Sequence, residues 1–175
     1  MNNHPLHLFR FCPQCGAPAF EEKNGKAKNC RQCGFTYYFN PSSAVVAVII
    51  NEKDELLVAR RANEPAKGTF DLPGGFVDMY ETVEEGMSRE VIEETGLIIH
   101  SMRYLFCIPN IYVYSGFEVH TTDLFFECNI RDFSLLKAQD DVSQLLFIPL
   151  RELQKSQFGL ASIRKGIEKL QKMFI

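Results

Sequence analysis

The sequence predicts an α/β (α+β) chain in which a small cysteine-bearing module precedes one domain of strands and two amphipathic helices. Three observations lead there. Four of six cysteines fall in two close pairs within residues 1–39, whereas sustained apolar patterning begins only at Ser43. Short β-branched and aromatic runs bounded by Pro, Gly and charged turns recur through the remainder. Two segments, one opening at Thr82 and one carrying Leu160, Ile163, Ile167 and Leu170, repeat apolar residues at helical spacing.

The length of 175 residues suits one well-buried core with a small appended module, which places residues 1–39 in the module and 40–175 in the main domain. With 46% hydrophobic and 23% charged residues and no low-complexity run, most of the chain should fold. Lys and Arg number 19 against 22 Asp and Glu, so no general attraction draws the protein to nucleic acid or anionic membrane. The N-terminal stretch MNNHPLHLFRFCPQCG has no basic segment followed by a long apolar one, and no window approaches the ~20 apolar residues of a membrane span. The expected location is the cytoplasm, with no membrane partner.

SAVVAVIIN (43–51) and ELLVARRA (55–62) read as two strands of a hairpin joined by a charged turn. NEPAKGTFDLPGG (63–75) is a Pro- and Gly-rich loop with a short extended piece at 69–72. A helix then starts at Thr82, whose hydroxyl with Glu85 three residues on forms a capping box, and stops at Gly96. Val83, Met87 and Val91 give its buried stripe. LIIHSMRYLFCIPNIYVYSG, FEVHTTDLFFECNI and LLFIPL supply further strands before the closing helix.

Cys12 and Cys15, then Cys30 and Cys33, form two CxxC pairs, each followed by glycine. Two intervening residues let a tight turn aim both sulfurs at one tetrahedral ion, and the glycine accepts the left-handed backbone that closes the turn. Zn²⁺ is the ion expected, in a structural role, because four thiolates leave no open coordination position. Reduced cysteines without metal, or a redox pair, are the competing readings. Lys23, Lys26, Lys28 and Arg31 are interrupted by Glu21 and Glu22, so nucleic-acid binding by this ribbon is a minor option. His4, His7, His100 and His120 show no ligand spacing.

Glu90, Glu93 and Glu94 stand at i, i+3 and i+4, on one helix face. Acids in the last helical turn repel each other and oppose the macrodipole, which prefers cations at that end. Arg89 can pair with Glu85 or Glu93, but one arginine does not neutralise the group. Hard ions such as Mg²⁺ or Mn²⁺ favour such carboxylates, often alongside substrate phosphate. A merely solvated helix end is the alternative.

From Gly75 the chain reads GFVDMYETVEEGMSREVIEETGL, in which every specified position of a Gly, five residues, Glu, seven residues, Arg-Glu, apolar, any, Glu-Glu, any, Gly, apolar pattern is occupied. This resembles the Nudix box of the Nudix hydrolases. LPGG before it, RR in the preceding strand and DDVSQLLFIPLREL after it are also similar to that family. The resemblance implies an α/β/α sandwich with a mixed sheet, and hydrolysis of a nucleoside diphosphate linked to another moiety with Mg²⁺ or Mn²⁺. Carried over by position, Glu90 and Glu94 would be the main metal ligands, Glu93 would ligate or position a metal water, and the Gly75 carbonyl would be a further ligand. Arg89 would orient the glutamates and Glu81 would buttress loop and helix, with Gly96 closing the box. The general base varies in the family; Glu90 is placed first, then Asp140 or Asp141, for which a solvated turn is the alternative.

A ribbon followed by this box is similar to the order in NADH pyrophosphatases. Those enzymes carry a downstream Ser-Gln-Pro-Trp-Pro-Phe-Pro type motif, whereas this chain has no tryptophan, so neither NADH selectivity nor a decapping activity is carried over. Tyr112, Tyr114 and Phe117 offer flat faces for a base, but alternating aromatics more often serve strand packing, which is the favoured reading. Arg60, Arg61 and Lys67 are candidate phosphate contacts or surface charges. The expected partner is a nucleotide-derived small molecule, with a homodimer left open. A different class of function is a regulatory module that senses a nucleotide through the same fold, its ribbon contacting protein or nucleic acid; decayed box glutamates would mark it, and none is seen.

Overall fold

The structure is a computed structural model that describes residues 4–174, the side chain of Tyr112 excepted. The chain divides into two units, one made of Met1–Pro41 and Val113–Glu118, the other of Ser42–Tyr112 and Val119–Ile175.

In the first unit, β1 (Phe20–Asn24), β2 (Ala27–Cys30) and β3 (Thr36–Tyr38) form an antiparallel sheet in that order. Its apolar centre is small: Cys12, Ala17, Phe20 and Cys30 with Phe35 against them. The leading segment is tied down by polar contacts. His4 accepts the Leu6 N–H on Nδ1 at 3.1 Å, and its Nε2 lies 2.8 Å from the Asn24 carbonyl. Lys28 donates to the Phe9 carbonyl at 2.7 Å. Phe117, from the second chain segment, meets Phe9 and Phe39 edge-on, each at 5.6 Å between centroids. Strand packing therefore accounts for Phe117.

The second unit is organised by β4 (Ser42–Val48) and β5 (Glu55–Arg61), whose side chains alternate between two cores. Val46, Val48, Leu56 and Val58 enter one cluster with Phe70, Phe106, Phe125 and the α2 residues Ile163, Ile167 and Leu170. Val45, Ala47, Ile49 and Leu57 enter the other with Met87 and Val91 of α1 and with Phe126 and Cys128. One helix thus covers each face of the strand layer, an α/β/α sandwich. α1 spans Val83–Thr95 and α2 spans Ala161–Phe174.

Strand pairing differs from the expected hairpin. β4 pairs in parallel with β8 (Phe117–Ile130), which lies between β4 and β7 (Ile99–Tyr114). β5 pairs antiparallel with β6 (Phe70–Asp71) and β9 (Val142–Pro149). The two segments meet at the isolated bridge between Ile50 and Leu56, where Leu57 N donates to Ile49 O and Asn51 N to Glu55 O, and not along a continuous ladder. The reason is burial: Val45 to Ile49 are all buried, and a strand enclosed on both faces belongs between layers rather than in a two-stranded ribbon.

Candidate functional site

α1 begins and ends where its sequence dictates. Thr82 accepts the Glu85 N–H while the Glu85 carboxylate accepts the Thr82 N–H, which satisfies two of the free donors at the helix start. Gly96 closes the helix at φ 71°, and a Cβ there would meet the Leu135 carbonyl oxygen at 2.7 Å. That left-handed cap and close approach need glycine. The loop it admits is bonded to the helix end, with Gln139 N donating to Glu94 O and Lys137 N to Thr95 O.

No basic residue occupies the last turn of α1, yet Glu94 is buried there and Glu90 is half-buried. Burial pushes the Glu94 carboxyl up to about 8; the charges of Asp71, Glu90 and Asp141 act in the same direction, against the Gly74 N–H. That N–H donates to Glu94 Oε2 at 2.9 Å. Burial also raises Glu90, opposed by Arg89 and reinforced by Glu93 and Asp140. Glu93 is the exposed member of the trio.

Arg89 holds the rest of the cluster. Its guanidinium donates to Glu81 Oε1 at 2.7 Å and Oε2 at 3.1 Å, to Glu90 Oε1 at 2.9 Å, to Glu93 Oε2 at 3.0 Å and to the Phe76 carbonyl at 2.9 Å. Of the two partners expected four residues away, Glu93 is taken and Glu85 is committed to the cap. The Glu81 hydrogen bonds keep Arg89 firmly protonated and hold Glu81 itself below the usual carboxylate range. Glu81 also accepts from Asp78 N at 2.9 Å, so it fastens the loop before α1.

Gly75 lies against this cluster: a Cβ there would sit 2.4 Å from Glu90 Oε1. Its carbonyl accepts the Val45 N–H at 2.8 Å, which leaves one lone pair for another partner. Asp140 and Asp141 reach the same region electrostatically, through Glu90 and Glu94 respectively. Asp141 is fixed by Asn63 Nδ2 at 2.6 Å and, at its carbonyl, by Ala62 N.

Both candidate arginines are engaged within the protein. Arg60 lies over the Phe70 ring at 4.7 Å and donates to the Gly68 carbonyl and Gln144. Arg61 donates to Asp71 Oδ2 at 2.6 Å and to the Pro65 carbonyl at 2.7 Å. Tyr114 is exposed and belongs to the first unit, and the side chain of Tyr112 lies outside the described residues. Sequence reasoning missed Asp71 and the Gly74 amide. The LPGG stretch was the available signal, since it immediately precedes Gly75.

In the first unit the four sulfurs of Cys12, Cys15, Cys30 and Cys33 lie within 4.8 Å of one another and could hold a metal ion. Cys12 to Cys33 and Cys15 to Cys30 are each 3.7 Å, far beyond a disulfide bond. Among the described residues no helix is long and apolar enough to cross a membrane.

A profile of the NUDIX domain matches residues 40–170. An ADP-ribose pyrophosphatase of Methanocaldococcus jannaschii is 37% identical over 134 residues, 75% of each chain. A NAD-capped RNA hydrolase, NudC, of Haemophilus influenzae is 37% identical over 105 residues; the match covers 58% of this chain and 39% of that protein. Among solved structures, a NUDIX hydrolase from Nitrosomonas europaea superposes with a TM-score of 0.71 at 19% identity, covering 94% of this chain and 92% of that one. The NUDIX domain of Shewanella oneidensis NrtR, solved with ADP ribose, superposes at 0.62 with 21% identity, covering 79% of this chain and 91% of that one. The profile match spans most of the chain, and the chain belongs to the Nudix hydrolase family.

Proposed function

We infer that the protein hydrolyses the pyrophosphate bond of a nucleoside diphosphate joined to another moiety, with ADP-ribose the first candidate substrate. The observation that carries this reading is the trio Glu90, Glu93 and Glu94, intact and gathered at a helix end with no basic residue in its last turn. The ADP-ribose preference is supported by the relative from Methanocaldococcus jannaschii, which matches over three quarters of both chains. The match to NudC covers 39% of that protein, so its capped-RNA substrate ranks lower.

Glu90, Glu93, Glu94 and the free lone pair of the Gly75 carbonyl would hold Mg²⁺ or Mn²⁺. The donor set fits a hard divalent cation: all-oxygen, with two carboxylates in low dielectric that gain from a positive charge. Such an ion, when bound, neutralises pyrophosphate charge and acidifies water. The protein's own part is positional. Arg89 fixes Glu90 and Glu93, and the Gly74 amide fixes Glu94. Glu90, raised by burial, is the first candidate to take the proton from the attacking water, and Asp140 or Asp141 the second.

Residues 1–39 are assigned to a structural zinc ribbon and 40–175 to the hydrolase domain. Tetrahedral Zn²⁺ with Zn–S bonds of about 2.3 Å requires sulfurs about 3.8 Å apart, and the two cross-pair distances are 3.7 Å. The cytoplasm is the assigned location.

The test is a panel of ADP-ribose, NADH, NAD, dinucleoside polyphosphates and nucleoside triphosphates with Mg²⁺ or Mn²⁺, the products separated by chromatography. Cation-dependent formation of AMP and ribose 5-phosphate from ADP-ribose supports the reading. Tight binding with no product across the panel would assign the protein to nucleotide sensing instead.

A further inference from the structure

We propose that Arg61 and Asp71 form a positioning pair that fixes residues 72–75 and, through the Gly74 amide, the aim of Glu94. This rests on the reading of Glu94 as a cation-holding residue. Arg61 sits at the end of β5 and spends two donors inward, on Asp71 Oδ2 at 2.6 Å and on the Pro65 carbonyl at 2.7 Å. Asp71 is buried and uses its other oxygen to accept the Leu72 N–H at 2.8 Å. Three residues after Asp71 comes the Gly74 N–H on Glu94, and the next residue packs against the Glu90 carboxylate.

The path from Arg61 to Glu94 is thus one hydrogen-bonded side-chain pair and a short, braced backbone. Pro73 O and Gly75 O accept from Ala47 N and Val45 N, which ties the far side of residues 72–75 to β4. Both of these bonds run to β4. Asp71 holds the start of the segment from the β5 side. The guanidinium also pairs the buried Asp71 carboxylate, so that this acid is committed to residues 61 and 72. Both groups act through Glu94, and neither is a catalytic residue.

A role in substrate binding predicts different behaviour from a role in positioning. Mn²⁺ binding to the full-length, zinc-loaded protein is read by electron paramagnetic resonance without substrate, for wild type, Asp71→Asn, Arg61→Gln and the double variant. Positioning residues behind metal ligands typically change affinity by about 10- to 100-fold. Each single variant should weaken Mn²⁺ binding within that range, and the double should be no worse than the weaker single, because either change breaks the same link. Ser162→Ala serves as the stability control. It removes the 2.5 Å bond to Asp123, another buried carboxylate in this unit, whose charge bears on Asp71 but which has no part in the Arg61–Asp71–Leu72 hydrogen bonds.

If Ser162→Ala matches Asp71→Asn in lost thermal stability and also in lost Mn²⁺ affinity, the effect is general loosening and the proposal is wrong. Unchanged Mn²⁺ affinity in both single variants, with Arg61→Gln raising only KM, would make Arg61 a substrate contact. Wild-type protein that binds no Mn²⁺ overturns the cation-site reading itself, a failure separable from the other two. Arg61→Lys is the second variant should Arg61→Gln not fold: it keeps the charge but loses the two-pronged grip, and its Mn²⁺ affinity should still fall.

Discussion

Replacing Glu94 by Gln should abolish turnover and, without added divalent cation, make the protein more stable at pH 8 than the wild type. Gln keeps the shape and can still accept the Gly74 N–H, while the buried charge is gone. The folded Glu94 carboxyl titrates at about 8, against about 4.3 for a free glutamate. The native state therefore holds this proton more tightly than the unfolded chain. Stability is greatest below the free value and is lost as pH rises through about 8. Linkage puts the cost of ionising Glu94 at about 2 kcal/mol at pH 6 and between about 4 and 5 kcal/mol at pH 8. The assay is urea denaturation at the two pH values, by circular dichroism and tyrosine fluorescence, after dialysis against buffer lacking Mg²⁺ and Mn²⁺. Wild type should lose about 2 kcal/mol more than Glu94→Gln between pH 6 and pH 8. Added Mn²⁺ should remove most of that loss in wild type and do little for the variant. Equal pH slopes in the two proteins would refute the reasoning, because the buried charge would then not reside on Glu94. Turnover should be lost in the variant even with the cation present, because an oxygen ligand of the ion is replaced by an amide.

Other substitutions have outcomes set by the same packing and hydrogen bonds. Gly75→Ala places a methyl 2.4 Å from Glu90 Oε1, so hydrolysis should fall by about 10-fold or more while melting temperature changes little. Gly166→Ala drives a Cβ to 2.5 Å from the Phe125 ring and should cost about 1–3 kcal/mol in urea titration, with KM unchanged. Cys12→Ser should lower bound zinc, assayed by metal analysis, and broaden the amide resonances of β1 to β3, because the apolar centre of that unit is only a few residues. Arg89→Ala releases Glu81, Glu90 and Glu93 together, and its loss of turnover should exceed that of Glu81→Gln, which leaves two of those contacts in place.

α1 was fully legible because its limits are set by local chemistry: the Thr82 and Glu85 box at one end, Gly96 at the other. The conflict between acids and helix dipole was legible for the same reason, since Glu90, Glu93 and Glu94 are neighbours in sequence. Pairing partners were not. Val45 to Ile49 carry the signature of a doubly buried strand, but nothing local says that the partner is β8, registered from Ser42 with Thr121 onward. Proximity in sequence favoured β5 and was misleading. Arg61 and Asp71 were unreadable on similar grounds: an arginine before a loop and an aspartate after it look solvated until the loop folds them together. The box alone could not show that Arg89 takes Glu81 with two bonds, because that contact spans eight residues and a turn.

The aromatic trio Phe9, Phe39 and Phe117 bears on the order in which the molecule is made. The cysteine-bearing segment leaves the ribosome before Phe117, and its four thiols are present once Cys33 emerges. Yet Phe117, which sits against both Phe9 and Phe39, is translated nearly eighty residues after Phe39. At about 5–20 residues per second the nascent ribbon waits several seconds for its last aromatic. During that interval the segment relies on its own contacts, the β1 to β3 sheet and the small centre of Cys12, Ala17, Phe20 and Cys30. Until Phe117 arrives, Phe9 and Phe39 each lack the edge-on contact that it supplies.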